Sequence, residues 1–311
     1  AWPIAYAVAL ASFQPALWLI SLTLMVRPLI VYFYAEFDQT PWHAHLDKLL
    51  TISGWLPATL LGLLAGNLLK GIPFHLESDM RIAFLGDAMS LVHLFGALVA
   101  VNALCLLMLH GASYCITKST GEVRQQAQSL QWRSGLGFLV SFALTGLWIT
   151  HLEGYHVTSD ILTQATSNPL AKFVKRSEGL WLDNYEHEPW LIVIPVLSFL
   201  SAIAAIWLGR IARRDWAMIA SSMTVAMTLL TLGLSLFPFL LPSNLSLNSS
   251  LTIWDSSASQ ATLQLLLPTA SIAVTLWLCI QRWTFRLFSD EIGLDIAKNN
   301  VPTGEALRRS E

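Results

Sequence analysis

Charge is what this chain has little of. Only 12% of its 311 residues are Asp, Glu, Lys or Arg, about half the share of a water-soluble domain. The charges cluster and leave apolar stretches of about twenty residues between them, the length that crosses a bilayer core as a helix. Apolar/polar alternation is missing too, which argues against a β-barrel. The formal net charge is −2, with no basic face for nucleic acid. Cysteine is scarce. Cys105, Cys115 and Cys279 lie in or beside apolar runs, have no CxxC or Cys/His spacing for zinc or an iron–sulfur cluster, and read as small buried hydrophobes. Neither a metal site nor a catalytic residue is expected. The start, AWPIAYAVAL, lacks the basic lead and cleavage site of a signal peptide and reads as the inside of a longer protein.

What is present is apolar length. With 54% hydrophobic residues, the chain reads as an all-α, polytopic helical membrane protein built as a helix bundle. Seven spans are expected, at Trp2–Arg27 with apolar residues continuing to Tyr34, then Leu49–Leu69, Ala88–Tyr114, a short Ser134–Thr150, Pro189–Leu208, Ala217–Leu241 and Ala261–Trp283. The long first run either tilts or ends at Pro28, with its remainder along the interface. Alternating topology puts 13 Lys and Arg on one side and 5 on the other, while the acids divide ten and ten. Basic residues favour the cytoplasmic side, so the C-terminus is expected there. Residues 1–311 then form one transmembrane domain, with an ordered outer-face loop at 151–188 and a cytoplasmic tail at 287–311.

Ionisable groups at membrane depth usually signal function, and here they are few. Arg27 lies near the inner end of the first span, and His93 and His110 near the two ends of the third. The histidines are 17 residues apart on one helix, ~25 Å along its axis, so they cannot share a haem and read as interface hydrogen-bonding groups. Gly62 and Gly66 suit close helix packing. By chemistry alone the chain reads as a scaffold or companion subunit of a membrane complex, with a polytopic transporter or permease as the alternative.

GNLLKGIPF at Gly66–Phe74, LHGASYCITKSTGEVRQQA at Leu109–Ala127, SNPL at Ser167–Leu170, FPFLLPSNLSLNSSLTIWDSSASQATL at Phe237–Leu263 and VRP at Val26–Pro28 together resemble subunit II of the cytochrome bd-type quinol oxidases. The resemblance runs in order through the seventh span. Two further N-terminal helices, with DGFDxGVG-like and HWDGNxVW-like motifs, are usual in that family and absent from this sequence, so the resemblance implies that these are the last seven of nine helices. It implies a bacterial cytoplasmic-membrane complex that oxidises a lipid quinol and reduces O2 to water. Haem b and haem d would belong to a haem-bearing subunit I. This chain would ligate none, and would pack against that subunit, membrane lipids and a small single-helix accessory subunit, with ubiquinone or menaquinone as the quinone.

Five further residues stand out with Arg27. Asn67 is expected to bond to a neighbouring helix at the outer membrane edge. Trp254 suits the interfacial aromatic belt. Ser257 and Gln260 have capping-box spacing for the seventh span, and Asp255 just ahead favours that helix N-terminus. The resemblance adds a packing role against subunit I for this segment. Arg27 reads as snorkelling to the interface or as donating to a bound quinone or to an acid of the absent helices. The sequons at Asn244 and Asn248 read as incidental, and Lys118, Glu122 and Arg124 as a solvated inner loop.

Overall fold

The computed structural model describes residues 1–36, 42–159 and 168–287. The tail at 288–311, with Lys298, Arg308 and Arg309, lies outside the described residues, as does Ser167 of SNPL. The described helices are α1 (Pro3–Ser12), α2 (Gln14–Glu36), α3 (His43–Lys70), α4 (Leu94–Lys118), α5 (Gly121–Ile149), α6 (Asp183–His187), α7 (Val193–Arg210), α8 (Arg214–Leu236) and α9 (Gln260–Leu287). Six of them are long and apolar enough to cross a membrane, namely α2, α3, α4, α7, α8 and α9. The chain is therefore a multi-pass membrane protein.

Several expected boundaries are corrected. The first apolar run is two helices, broken at Phe13. Pro15 has no N–H to continue the ladder, and its ring crowds the preceding turn. Pro28 does not end the span, because α2 runs through it to Glu36. The third span begins at Leu94, after a 3-10 turn at Ala88–Leu91. The fourth is a long helix of 29 residues. Its polar first half is helical because Gln128 and Gln131 turn inward, Gln128 donating to Gly209 O (2.9 Å) and Gln131 to Ser113 Oγ (2.9 Å) and Ala205 O (3.1 Å). The sixth stops at Leu236, since Pro238 cannot extend it. Lys118 to Arg124 is less a loop than a tight α4–α5 hairpin, where Arg124 Nε donates to Ser119 O (2.7 Å).

Hydroxyls and small residues join the helices. Ser198 pairs with Thr228 (2.7 Å) and Ser201 with Thr224 (3.0 Å) between α7 and α8. Gly62 and Gly66 bring α3 against α4, where an added Cβ would lie 2.6 Å from Ala100 Cα and 2.7 Å from Gly96 Cα. Such close backbone approach is how helices associate in lipid. Cys115 and Cys279 are exposed and Cys105 half-buried, which corrects the buried-thiol reading, because a lipid-facing surface accepts an apolar thiol.

The all-α expectation needs one addition. Among the described residues three antiparallel ribbons gather at one end of the bundle: β1 (Phe74–Leu76) with β2 (Ile82–Phe84), β3 (Glu153–Val157) with β4 (Val174–Glu178), and β5 (Phe239–Leu241) with β6 (Leu251–Thr252). The described part of 151–188 is ordered there. Trp181, 1% exposed, donates to Leu69 O (2.9 Å), and Asn184 donates to Leu234 O and Phe237 O (both 2.7 Å). Carbonyls at the ends of α3 and α8 thereby find donors.

Candidate functional site

Arg27 sits fourteenth in α2, ~20 Å from its start. Its Nη1 donates to Ser53 Oγ on α3 (3.4 Å), and that hydroxyl donates to Leu50 O (2.8 Å). Gly54 lies beside it, where an added Cβ would come 3.1 Å from Nη1 and crowd the guanidinium. Among the described residues no carboxylate is paired with Arg27. A guanidinium carries five donors, so one long hydrogen bond leaves it able to bind a further acceptor.

Asn67 stands apart from it, 14 residues along α3 from Ser53. It is 2% exposed and donates to Leu63 O (2.8 Å) and to Leu91 O (2.7 Å). The expected neighbour is thus the 3-10 turn ahead of α4. Gly71 follows with φ +89°, a conformation suited to glycine, and its N–H caps Asn67 O (2.9 Å).

At the ribbon end the lead-in to α9 is built around a buried ion pair. Asp255 Oδ1 accepts from Thr252 N (2.8 Å) and Ser256 Oγ (3.0 Å), and Oδ2 meets Lys172 Nζ at 2.6 Å. The side chains are 11% and 8% exposed. Lys172 also donates to Pro169 O (2.6 Å). Burial pushes the Lys172 ammonium below its usual range, and the Asp255 carboxylate opposes that shift. Asp255 is therefore more than punctuation before a helix, since it ties residues 168–178 to the segment after β5. Trp254 packs edge-on against Phe237 (5.8 Å).

The capping box is corrected. α9 begins at Gln260, so Ser259 precedes it and accepts from Thr262 N (3.4 Å), while Ser257 donates to Trp254 O (3.1 Å). Turn bonding within Trp254–Ser257 moves the helix start past the box. Lys172 and Gln131 were not singled out from sequence, whereas Trp181 stood out only as an aromatic of the expected outer-face loop. Gln131 lies in the polar stretch QQAQSLQWR, so its sequence carried no signal of an inward turn. Both sequons are engaged, Asn244 donating to Gly71 O (3.2 Å) and Asn248 accepting from Val174 N (3.1 Å).

His93, just ahead of the third span, and His110 within it do not fit a shared haem. His110 Nδ1 is 3.0 Å from Ser221 Oγ on α8, and His93 Nδ1 accepts from Gly96 N (3.0 Å) as the cap of α4. His93 precedes α4 and His110 is its seventeenth residue, ~25 Å apart along the axis, so the two cannot face one haem. Among the described residues no cluster of His, Cys, Asp and Glu could hold a metal ion.

The model of the cytochrome bd terminal oxidase subunit II family matches residues 1–288. The chain belongs to that family. It is 33% identical to the cytochrome bd-I ubiquinol oxidase subunit 2 of Escherichia coli K12, covering 96% of this chain and 79% of that one. It is 34% identical to the probable cytochrome oxidase subunit 2 of Haemophilus influenzae, covering 92% and 75%. The bd oxidase structure from Geobacillus thermodenitrificans shares the fold, with a TM-score of 0.63 at 17% identity over 91% of this chain and 77% of that one. As a bd oxidase subunit II, the chain is part of an oxidoreductase and works beside a partner subunit. The permease alternative is not favoured.

Proposed function

We propose that this chain is the haem-free half of a quinol-oxidising, O2-reducing complex in a bacterial cytoplasmic membrane. The observation that carries this is the family match over residues 1–288. The E. coli relative is named a ubiquinol oxidase subunit, which supports ubiquinol as the reductant. Haem b and haem d are assigned to the partner, in keeping with the separation of His93 and His110 along α4. α5 is taken as a seventh span beside the six that meet length and composition. With 13 basic residues on one side and 5 on the other, the C-terminus is placed in the cytoplasm and the ribbon end outside, residues 151–188 included.

Arg27 is assigned a buried polar contact, to a quinone carbonyl or to a carboxylate from elsewhere in the complex. Its single 3.4 Å bond to Ser53 supports spare donor capacity. The partners are completed by membrane lipids and a small single-helix accessory subunit.

The test is a reduced-minus-oxidised spectrum of the complex isolated through this chain, with haem extraction and a denaturing gel. Bands of b- and d-type haem beside a second large subunit are expected. A colourless chain, stable alone in detergent, overturns the reading. Arg27→Gln is expected to lower quinol turnover or quinone content while both haem bands persist.

A further inference from the structure

Between the ribbon-end halves of α3, α4, α5 and α8 lies a cavity of about 120 Å³. Its walls are mostly apolar, with Leu69, Leu106, Phe142 and Ile149 among them, and Asn102 stands in the wall from α4. Asn102 is 5% exposed, and its Nδ2 is buried without a hydrogen-bond partner. Leaving two amide N–H donors unpaired in an apolar interior is costly. None of the other polar side chains of the wall, Thr145, Thr228, Thr231 and Ser235, is a hydrogen-bond partner of Asn102 Nδ2. Thr145 donates to Ser141 O (2.8 Å), Thr228 to Thr224 O (2.8 Å) and Thr231 to Met227 O (2.8 Å). Their protons are committed to their own helices, while their oxygens retain lone pairs that can accept. The wall thus holds a donor with no acceptor and several acceptors with spare capacity, in a space that admits more than one water-sized molecule.

We infer that this cavity is a hydration site inside the membrane bundle, where water accepts from Asn102 Nδ2 and donates to the threonine oxygens. Water is the occupant that matches both sides of this chemistry. A lipid chain or a dissolved apolar gas would leave the amide unsatisfied, and a carbonyl-bearing amphiphile would satisfy the amide but offer nothing to the threonines. Asn102 is the ninth residue of α4, ~12 Å from that helix end, so the amide that the water meets lies within the span. The inference is independent of where quinol binds.

The experiment is X-ray hydroxyl-radical footprinting of the intact oxidase complex in lipid nanodiscs, read by mass spectrometry. Radicals formed from internal water label adjacent side chains whether or not bulk solvent reaches them. Phe142 is expected to be modified severalfold more than Phe138, which is fully buried in the neighbouring core. Asn102→Leu is expected to bring Phe142 down to the Phe138 level. Asn102→Ser, which keeps a polar group, serves should the leucine variant fail to assemble, and is expected to retain labelling. Equal, background labelling of both phenylalanines in the wild-type complex overturns the inference. So does undiminished Phe142 labelling in Asn102→Leu, or a density map showing an elongated lipid or quinone tail in the cavity.

Discussion

α4 and α9 are both long apolar helices, yet the chain buries 33% of the apolar window of one and none of the other. The difference lies in their polar and small residues. α4 presents Gly96 and Ala100 to α3, Ser113 to Gln131 of α5 and His110 to Ser221 of α8. α9 bonds its own hydroxyls to its own backbone, Thr269 and Ser271 to carbonyls one turn back and Thr275 to Ser271 O. Lipid removes the usual hydrophobic drive between helices, so close packing and interhelical hydrogen bonds decide which helices join. Among the described residues α9 turns no such group toward the rest of the chain, and its apolar window stays exposed.

The comparison can be broken most strongly at the buried ion pair that holds the lead-in to α9. Lys172→Met leaves Asp255 buried without its cation, and a loss of about 3–5 kcal/mol is expected. Thermal unfolding of the complex reads it, and Lys172→Met/Asp255→Leu is expected to recover most of the loss. If the single and double variants are equally unstable, the pair is not what holds this segment. Gly62→Leu acts on the packed side by forcing α3 from α4, at a cost of about 1–3 kcal/mol, while the same bulk added at Ala273 on α9 is expected to leave the chain's own stability unchanged. Asn67→Ala removes the donor to Leu91 O and costs about 1–3 kcal/mol, read as a lower melting temperature.

A smaller effect concerns pH. Burial, with Lys70 adding to it, lowers the His93 pKa to about 4, below the unfolded value of about 6.5. Between these values the unfolded chain binds the proton and the folded one does not. The contribution is therefore full above about pH 6.5 and is lost as pH falls toward 4, when protonation removes the acceptor for Gly96 N–H. A melting series over that range is expected to decline less in His93→Asn, which keeps a capping acceptor without titrating. Smallest is Leu276→Ala on the exposed face of α9, expected to leave the chain's own fold unchanged and to weaken retention of the partner subunit on a native gel.

Much of the fold was legible because hydrophobic length is a local signal. The expected end of the second span at Leu69 lies one residue from the end of α3 at Lys70, and Gly62 and Gly66 announced their contact through spacing alone. α5 was misjudged in length because Gln128 and Gln131 look like surface residues until the carbonyls of α7 are placed opposite them. Of the candidate site residues, Arg27 and Asn67 were visible as polar exceptions in apolar runs. Asp255 was visible too, but its partner was not, since nothing near Lys172 in sequence distinguishes it from a solvated loop lysine.

The sequence by itself determined the class of molecule, the positions of the apolar helices and, through its motifs, the family, because each depends on residues within one stretch of chain. Only the tertiary structure decided that the described loops close as ribbons, that Lys172 meets Asp255 and that Asn102 faces a cavity. Those outcomes depend on which polar groups distant segments bring within hydrogen-bond reach. In a low-dielectric interior an unmet donor or charge is costly enough to decide the arrangement.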